Sequence, residues 1–356
     1  MSWRKSNFGE YEILYIMTIK IFMTLTLTAC FAWSASAIRS NNSKENVKAG
    51  IMKETPHNVC MADPTILMDG GVYYLYGTSG NSNNGFESYY SKDLENWEGP
   101  VEVLKKGEAF GTAGFWAPQI LKTEDGRYAM VYTANERIAV AWADSPLGPF
   151  RNDSRQCIAD DMRRIDPFVF RDTNGKTYLY HVRLDNGNKI YTQSISQDLD
   201  STDLETLSKV IEVTLPWENT EDSSWPVTEG PTVVKHDGRY YLFYSANDFR
   251  NRDYAVGYAV ADSPEGPWVK NPEPIITRFN TGLAGTGHGD IFIDRDGKYK
   301  YVFHSHSSQT EVAPRKTYIV ELTLDSLGVY IDPLTMMEIK APTHKLSDKS
   351  KRHRCK

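Results

Sequence analysis

Apolar and polar positions alternate in short runs along most of the chain, and no long stretch repeats its apolar residues at the helical period. Five segments share one pattern: a short apolar strand, a turn containing Asp-Gly or Asn-Gly, and a strand rich in aromatic residues. They cover residues 63–76, 117–132, 166–180, 230–244 and 289–303. Asp-Gly and Asn-Gly tolerate the positive φ of a tight turn, so each segment is predicted to be a β-hairpin.

Further short strands are predicted after each hairpin. Residues 139–150 and 255–268 are near duplicates, and both contain Asp-Ser-Pro-x-Gly-Pro. A hairpin with one or two outer strands, repeated at roughly fifty to sixty residues, is typical of a propeller blade. We therefore predict an all-β, five-bladed β-propeller over residues 38–345. A β-sandwich or jelly roll would also supply strands, but neither explains why the same hairpin recurs in phase.

The starts of the five hairpins are predicted to meet at one mouth of the central channel, because the first strand of every blade lines that channel. We align the copies on their proline, with Asp290 in its place in the fifth copy. The two residues before it are then Ala62-Asp63, Trp116-Ala117, Ile165-Asp166, Glu229-Gly230 and His288-Gly289. Three carboxylates, an aromatic ring and an imidazole are thereby predicted to face one another.

A bland explanation exists for two of these carboxylates, since Asp63 and Asp166 precede proline, where Asp is common as a turn residue. Glu229 has no such explanation, because Glu is a poor turn former. Ionisable groups are costly to crowd into a narrow channel unless their perturbed pKa values are useful. Hydrolysis of a glycosidic bond needs such a set: one carboxyl that stays protonated for the leaving oxygen, and one that stays ionised.

Charge narrows the class of ligand. The formal net charge of −6 and the pI of about 5.8 give no positive field that would gather phosphates, so nucleic acid is not an expected partner. Neutral carbohydrates fit better. The last residues, 346–356, are basic and polar, and we interpret them as a solvated, disordered tail.

The N-terminal residues 1–37 resemble an export signal, with Met17 as an alternative start. Lys20 precedes the apolar run 21–32, and residues 35–37 supply the small side chains of a cleavage site. The run is short for a transmembrane span. Residues 27–30 also resemble a lipoprotein box, which would anchor the protein at Cys30. The predicted location is therefore periplasmic, extracellular or lipid-anchored at the bacterial surface.

Two cysteines, Cys60 and Cys157, lie in the body of the chain. They are too few for a disulfide-dense framework, and no metal-ligand spacing such as C-x-x-C appears. Buried free thiols are the expected state, and a bridge between the two is the alternative in an oxidising compartment.

The motifs at the strand starts resemble, as a set, glycoside hydrolase family 43, whose members are five-bladed propellers. The resemblance covers about residues 56–322 and rests on Ala62-Asp63-Pro64, Trp116-Ala117-Pro118, Ile165-Asp166-Pro167, Glu229-Gly230-Pro231 and Gly287-His288-Gly289. It implies an inverting mechanism. Asp63 would be the general base on water, Glu229 the general acid, and Asp166 the residue that raises the pKa of the acid and orients it.

The resemblance also implies a hydrated cation, commonly calcium, beside His288, although a single His is more often a hydrogen-bonded core residue. Arg315 resembles an arginine that lies near the substrate, with a surface loop charge as the alternative. Phe115 and Trp116 suit the apolar face of a sugar at the mouth, although Trp often packs between blades. Trp225 is a candidate for an outer wall.

The function that we predict is release of terminal L-arabinofuranose or xylose from plant cell-wall polysaccharides or their fragments. Endo-arabinanase activity is the alternative within the same class. A carbohydrate-binding propeller without catalysis is the alternative from another class, and the presence of all three carboxylates argues against it. The sequence predicts no oligomeric state.

Overall fold

The computed structural model describes residues 56–158 and 162–342. Five antiparallel sheets form the blades of a β-propeller, which confirms the predicted all-β fold. The predicted export signal, residues 1–37, and the predicted basic tail, residues 346–356, lie outside the described residues, as do residues 38–55, 159–161 and 343–345 of the predicted propeller domain.

The strands of each blade follow one another in chain order from the channel outward. Blade I contains β2 (Met61–Asp69), β3 (Val72–Ser79), β4 (Gly85–Ser91) and β5 (Trp97–Lys105). Blade II contains β6 (Trp116–Lys122), β7 (Tyr128–Ala134) and β8 (Arg137–Ala143). Blade III contains β9 (Arg164–Arg171), β10 (Thr177–Leu184), β11 (Asn188–Ile195) and β12 (Thr202–Ile211).

Blade IV contains β13 (Thr228–His236), β14 (Arg239–Ala246), β15 (Ala255–Ala261) and the short β16 (Val269–Lys270). Blade V contains β17 (Gly287–Ile293), β18 (Tyr299–Ser305), β19 (Lys316–Asp325) and β20 (Gly328–Glu338). A separate pair joins β1 (His57–Asn58) to β21 (Lys340–Ala341). One turn of 3₁₀ helix spans Pro216–Glu218, and a short helix, α1, spans Arg278–Thr281.

Five clusters of buried apolar side chains hold the blades together, and each cluster is shared by two neighbouring blades. Strand β7 illustrates the arrangement. Tyr128, Met130 and Tyr132 pack toward blade I, whereas Ala129 and Val131 pack toward blade III. The alternation in the aromatic strands therefore distributes side chains between two blade interfaces. Because both faces are buried, these strands are apolar at nearly every position.

Every inner strand begins with the same irregularity, one residue with positive φ at a shift in the strand register. The residues are Asp63 (φ 51), Ala117 (φ 44), Asp166 (φ 54), Gly230 (φ 58) and His288 (φ 40). The left-handed region is uncommon for residues other than glycine. Since Ala117 shares this conformation, the bulge belongs to the blade and not only to the reacting groups.

The fifth copy is aligned differently from the prediction. His288, and not Gly289, has the positive φ that Asp63 has in the first copy. The register agrees, because Asp290 pairs with β18 as Thr65 pairs with β3, two residues after the bulge. Placing Asp290 on the proline position was therefore wrong by one residue. The aligned proline belongs with Gly289, so the imidazole of His288 is the equivalent of the carboxylates of Asp63 and Asp166.

The N–H group of four of the five bulges is bonded by a side chain from the second strand of the preceding blade. Thr78 accepts from Ala117 at 3.0 Å, Thr133 from Asp166 at 3.0 Å, Ser245 from His288 at 2.7 Å and His304 from Asp63 at 3.2 Å. These bonds satisfy buried donors that the bulge removes from the sheet ladder. They also fix where each bulge places its side chain.

The two body cysteines differ in state. Cys157 is a free thiol, as expected, whereas Cys60 is disulfide-bonded. The prediction of two free thiols is therefore wrong for Cys60. The alternative of a bridge between Cys60 and Cys157 is wrong as well, since Cys157 takes no part in a disulfide.

Candidate active site in the central channel

Asp63 lies at the channel mouth among donors and cations. Its Oδ2 accepts a hydrogen bond of 2.6 Å from Thr78, the next residue but one after the aromatic run of β3. Its Oδ1 lies 3.3 Å from Arg315 Nη1, 3.3 Å from His288 Nδ1 and 3.6 Å from His304 Nδ1. Burial opposes ionisation, but the electrostatic effects of His288 and Arg315, together with the hydrogen bond from Thr78, outweigh it and hold the pKa of Asp63 well below its ordinary value. This carboxyl is therefore ionised near neutral pH.

Glu229 has the opposite protonation preference. Burial raises its pKa to about 7 even though two hydrogen bonds work against the rise. Tyr254 donates to Oε1 at 2.8 Å, and Asn188 donates to Oε2 at 2.9 Å. The negative charge of Asp63 adds to the effect of burial. Glu229 thus holds a proton over the pH range in which Asp63 has lost its own.

Asp166 contacts the backbone beside Glu229 and also the imidazole of His288, which contacts Asp63. Its Oδ2 accepts from the backbone N–H of Gly230 at 3.2 Å and lies 3.8 Å from His288 Nδ1. Burial raises the pKa of Asp166 well above its ordinary value, and the charges of Glu229 and Asp63 raise it further. The backbone bond to Gly230 places Asp166 directly beside the residue that follows the glutamate.

The glycine at position 230 is required by this geometry. A Cβ there would lie 2.8 Å from Cδ2 of His288, closer than real Cβ contacts. The positive φ of Gly230 adds a conformational reason. Gly230 therefore allows the bulges of blades IV and V to approach each other, and this approach brings Glu229 toward the imidazole and the two aspartates.

Arg315 is the predicted binding residue that lies most directly in the site. Besides its contact with Asp63, its Nη1 lies 3.3 Å from Nε2 of His304, and its guanidinium lies 4.6 Å from the centre of the Phe249 ring. The alternative of an isolated surface charge in a loop is therefore wrong. A half-buried arginine beside an ionised aspartate can also donate to sugar hydroxyls.

The two predicted tryptophans are both partly accessible. Trp116 is half-buried and has in blade II the strand position that Glu229 has in blade IV. The side chain of Trp225 is 45% exposed, and its indole N–H donates to Asn188 Oδ1 at 3.0 Å. Asn188 in turn donates to Glu229, so Trp225 lies two hydrogen bonds from that carboxyl.

Phe115 does not line the mouth. The side chain is 0% exposed and packs edge-on against Phe86 and parallel to Tyr132, with ring centres 5.8 and 6.1 Å away. The prediction that Phe115 contacts a sugar was therefore wrong. Its neighbour Trp116 begins β6, whereas Phe115 belongs to the apolar cluster between blades I and II.

The predicted cation beside His288 has little support from side-chain ligands. Calcium takes six to eight oxygen ligands in proteins. Among residues 56–158 and 162–342, no group of three or more His, Cys, Asp or Glu side chains is arranged to hold a metal ion. Burial lowers the pKa of His288, and its Nδ1 faces Asp63 and Asp166. These residues do not form a calcium cage, and a hydrated cation stays a prediction.

Four residues of the site were not predicted: Thr78, Asn188, Tyr254 and His304. Thr78 and His304 have the same position on the second strands of their blades. Each is a polar residue that lies two positions after the residue paired with the inner strand just beyond the bulge. Aligning the second strands as well as the first would have found them. Asn188 and Tyr254 lie outside the repeated pattern, and no signal in the aligned hairpins points to them.

The fold and the channel together define a class of protein: a five-bladed propeller with three buried carboxyl groups around one mouth of its channel. The pKa of one carboxyl group is lowered, and the pKa values of the other two are raised. The family model described as "Glycosyl hydrolases family 43" matches residues 57–329. The chain therefore belongs to glycoside hydrolase family 43, as its motifs suggested.

A solved structure described as endo-1,4-beta-xylanase from Bacteroides thetaiotaomicron VPI-5482 is 38% identical, with a TM-score of 0.77 over 82% of this chain and 100% of that one. A xylosidase/arabinosidase from Butyrivibrio fibrisolvens is 28% identical over 67% of this chain. An extracellular exo-alpha-(1->5)-L-arabinofuranosidase from Streptomyces avermitilis is 23% identical over 66%. The chain spans 48% and 40% of the lengths of these last two relatives.

The described part of the chain contains no helix that is long and apolar enough to cross a membrane.

Proposed function

We propose that this protein is an inverting glycoside hydrolase that releases L-arabinofuranose or xylose from plant cell-wall polysaccharides or oligosaccharides. The observation that carries the proposal is the pair of opposite pKa shifts in one channel, lowered for Asp63 and raised to about 7 for Glu229. Such a pair supplies a base and an acid at the same pH.

The reaction follows from these two states. Asp63 accepts a proton from a water molecule as the water oxygen bonds to the anomeric carbon. Glu229 gives its proton to the glycosidic oxygen as the bond from that oxygen to the anomeric carbon breaks. Asp166, whose own pKa is raised by burial and by the charge of Glu229, bonds to the backbone N–H of Gly230 and so orients the strand start that carries the acid; its part in raising the pKa of Glu229 stays a prediction. Attack from the face opposite the leaving group inverts the anomeric configuration.

The test replaces Glu229 with Gln. We expect kcat on an aryl α-L-arabinofuranoside or aryl β-xyloside with a poor leaving group to fall by about 10²–10⁴-fold, the usual contribution of a general acid. A dinitrophenyl glycoside, which needs little protonation, should lose much less. Glu205→Gln on the exposed outer strand β12 is the matched control and should retain activity. Wild-type rates for Glu229→Gln on both substrates would remove Glu229 from the acid role.

Stereochemistry is read in the same experiment by following the first-formed sugar with proton NMR. Inversion predicts that the product has the opposite anomeric configuration to the substrate. Retention would contradict the assignment of Asp63 as a base on water and would make it a nucleophile.

Endo action is the second candidate, because the solved relative that is 38% identical is described as an endo-1,4-beta-xylanase. Product sizes from xylan and from linear arabinan separate the two modes. Monosaccharide from the first minutes supports the exo proposal, and a ladder of oligosaccharides supports endo cleavage.

Export is also proposed, from the signal-like residues 1–37, with Met17 as an alternative start, and from the extracellular description of the Streptomyces relative. Fractionation of the native host distinguishes a released protein from one that is lipid-anchored at Cys30.

A further inference from the structure

Asn188 directs all of its polar groups at the five residues that end with the proposed acid. Its backbone N–H donates to Pro226 O at 2.9 Å, and its carbonyl accepts from Thr228 Oγ1 at 3.1 Å. Its Oδ1 accepts from Trp225 Nε1 at 3.0 Å, and its Nδ2 donates to Glu229 Oε2 at 2.9 Å. The first residue of β11 is thus bonded along the whole entry to β13.

The backbone is built for this approach. Gly187, with φ 123, precedes Asn188, and a Cβ on it would lie 2.5 Å from the carbonyl oxygen of Pro226. Only glycine accommodates both the positive φ and the contact. The side chain of Asn188 is therefore held between Trp225 and Glu229 by backbone contacts as well as by its own hydrogen bonds.

Trp225 decides which end of the Asn188 amide faces the acid. An indole N–H can only donate a hydrogen bond, so it has to face the amide oxygen. The NH₂ end must then face Glu229, where it can only donate. Turning the amide over would place two donors against each other at Trp225. Tyr254, on Oε1, is different, because a hydroxyl can donate or accept.

We propose that Trp225 is a positioning residue for the acid: it locks Asn188 as a fixed donor to Oε2, so that gain and loss of the proton on Glu229 are accommodated on the Tyr254 side. The inference rests on the proposed function, since it takes Glu229 as the acid. The accessible edge of the indole can still contact a sugar, but this lock is a separate role and does not require that contact.

A consequence follows for the protonation of the acid. The bond from Asn188 lowers the pKa of Glu229 and opposes the effect of burial. An amide that is free to rotate would spend part of its time with its oxygen toward Glu229, and this arrangement disfavours the carboxylate. Loss of the lock should therefore raise the pKa of the acid and leave the base, Asp63, unchanged.

Trp225→Phe tests the lock, because phenylalanine keeps an aromatic ring and removes the N–H. We expect the basic limb of the kcat/KM–pH profile to move up by about half to one pH unit. Asn188→Leu should move it in the same direction, and the double variant should move it no further than Asn188→Leu alone. Trp142→Phe, on the outer strand β8 of blade II, is the matched control and should leave the limb in place.

A second measurement does not depend on turnover. In a ¹H–¹⁵N spectrum of the wild type, the indole signal that disappears in Trp225→Phe should shift with pH along the titration of Glu229. The same signal should lose that pH dependence in Asn188→Leu. Thermal unfolding of each variant verifies that it is folded.

The outcomes separate the two ideas. If Trp225→Phe raises KM and leaves the basic limb unmoved, Trp225 is only a contact surface and the lock is refuted. If its shift adds to that of Asn188→Leu, the indole acts by another route, and the lock is refuted as well. If Glu229→Gln keeps its activity and its basic limb, the proposed acid itself is wrong, whatever Trp225 does.

Discussion

The hydroxyl of Tyr254 offers the sharpest test of how the acid is tuned. It donates to Glu229 Oε1 at 2.8 Å from a fully buried position. The ring is held independently of the hydroxyl, since it stacks on His304 at 5.7 Å and lies where a Cβ on Gly287 would come within 2.3 Å of it. Tyr254→Phe therefore removes one hydrogen bond from the acid and leaves the packing in place.

The size of the effect follows from what the bond contributes in each protonation state. A hydrogen bond to a charged group contributes about 1.5–3 kcal/mol, and one between neutral groups about 0.5–1.5 kcal/mol. Only the difference, about 1–1.5 kcal/mol, changes the pKa. One pKa unit corresponds to about 1.4 kcal/mol. The pKa of Glu229 should thus rise from about 7 to about 8.

The assay is kcat/KM on an aryl glycoside from acid to alkaline pH at constant ionic strength, because that ratio reports the free enzyme's acid and base. We expect the basic limb of Tyr254→Phe to lie about one unit above that of the wild type. Tyr132→Phe is the control. It also removes a buried tyrosine hydroxyl, one that donates to Phe110 O at 2.8 Å, and it should leave both limbs unmoved.

Three results would refute the reasoning. A basic limb that stays in place would mean that the Tyr254 bond favours neither form of the acid. A limb that moves down would mean that the hydroxyl accepts from protonated Glu229 and stabilises the acid form, so that its donor role is reversed. A shift of similar size in Tyr132→Phe would attribute the effect to loosened packing.

Two further outcomes follow from the charges of the site. In Arg315→Met, Asp63 loses a cation that lowers its pKa, so the acidic limb of kcat/KM should rise toward the ordinary range of aspartate; an unmoved limb would exclude Arg315 as a tuning group. The pKa of Glu229 is about 7 in the folded state, against 4.5 ordinarily. Between these two pH values the unfolded chain binds fewer protons than the folded protein. The free energy of unfolding therefore falls by about 3 kcal/mol as pH rises through this range. Glu229→Gln should remove this contribution, so that the free energy of unfolding differs less between pH 4.5 and pH 8 than in the wild type, and urea unfolding at the two pH values would measure it.

Much of the fold was predictable because the blade is a local unit. A hairpin with Asp-Gly or Asn-Gly in its turn can be recognised within about fifteen residues of sequence. Five copies in phase then leave few alternatives to a propeller. Convergence of Asp63, Asp166 and Glu229 followed from that symmetry alone, since each begins an inner strand. In the structure His288 contacts both aspartates, and Asp166 bonds to Gly230, the residue that follows Glu229.

What escaped prediction depends on spacing that differs between blades. The fifth copy has Gly289 where the others have proline, and for this reason Asp290 was wrongly aligned with the prolines. The bulge residue of this copy is His288. Phe115 and Trp116 are adjacent in sequence, but Phe115 is buried in the cluster between blades I and II, whereas Trp116 is half-buried at the start of β6. Asn188 and Tyr254 lie at the start of the third strands of blades III and IV, each two residues before the residue that pairs with Val182 or Ser245, and the third strands of the blades had not been aligned.

The exception among the bulges explains why Asp166 lies where it does. In blades I, II, IV and V a polar side chain on the second strand bonds the N–H of the next bulge, but in blade III the equivalent residue is Val182. Valine cannot accept a hydrogen bond, and the N–H of Gly230 is instead bonded by Asp166 Oδ2. A buried N–H without a partner would cost about 1–3 kcal/mol, so this bond draws the Asp166 carboxyl against the backbone beside Glu229, where the charge of Glu229 helps to raise its pKa. The apolar residue at position 182 thus contributes to the protonation pattern of the site, because it leaves the N–H of Gly230 to be bonded by Asp166.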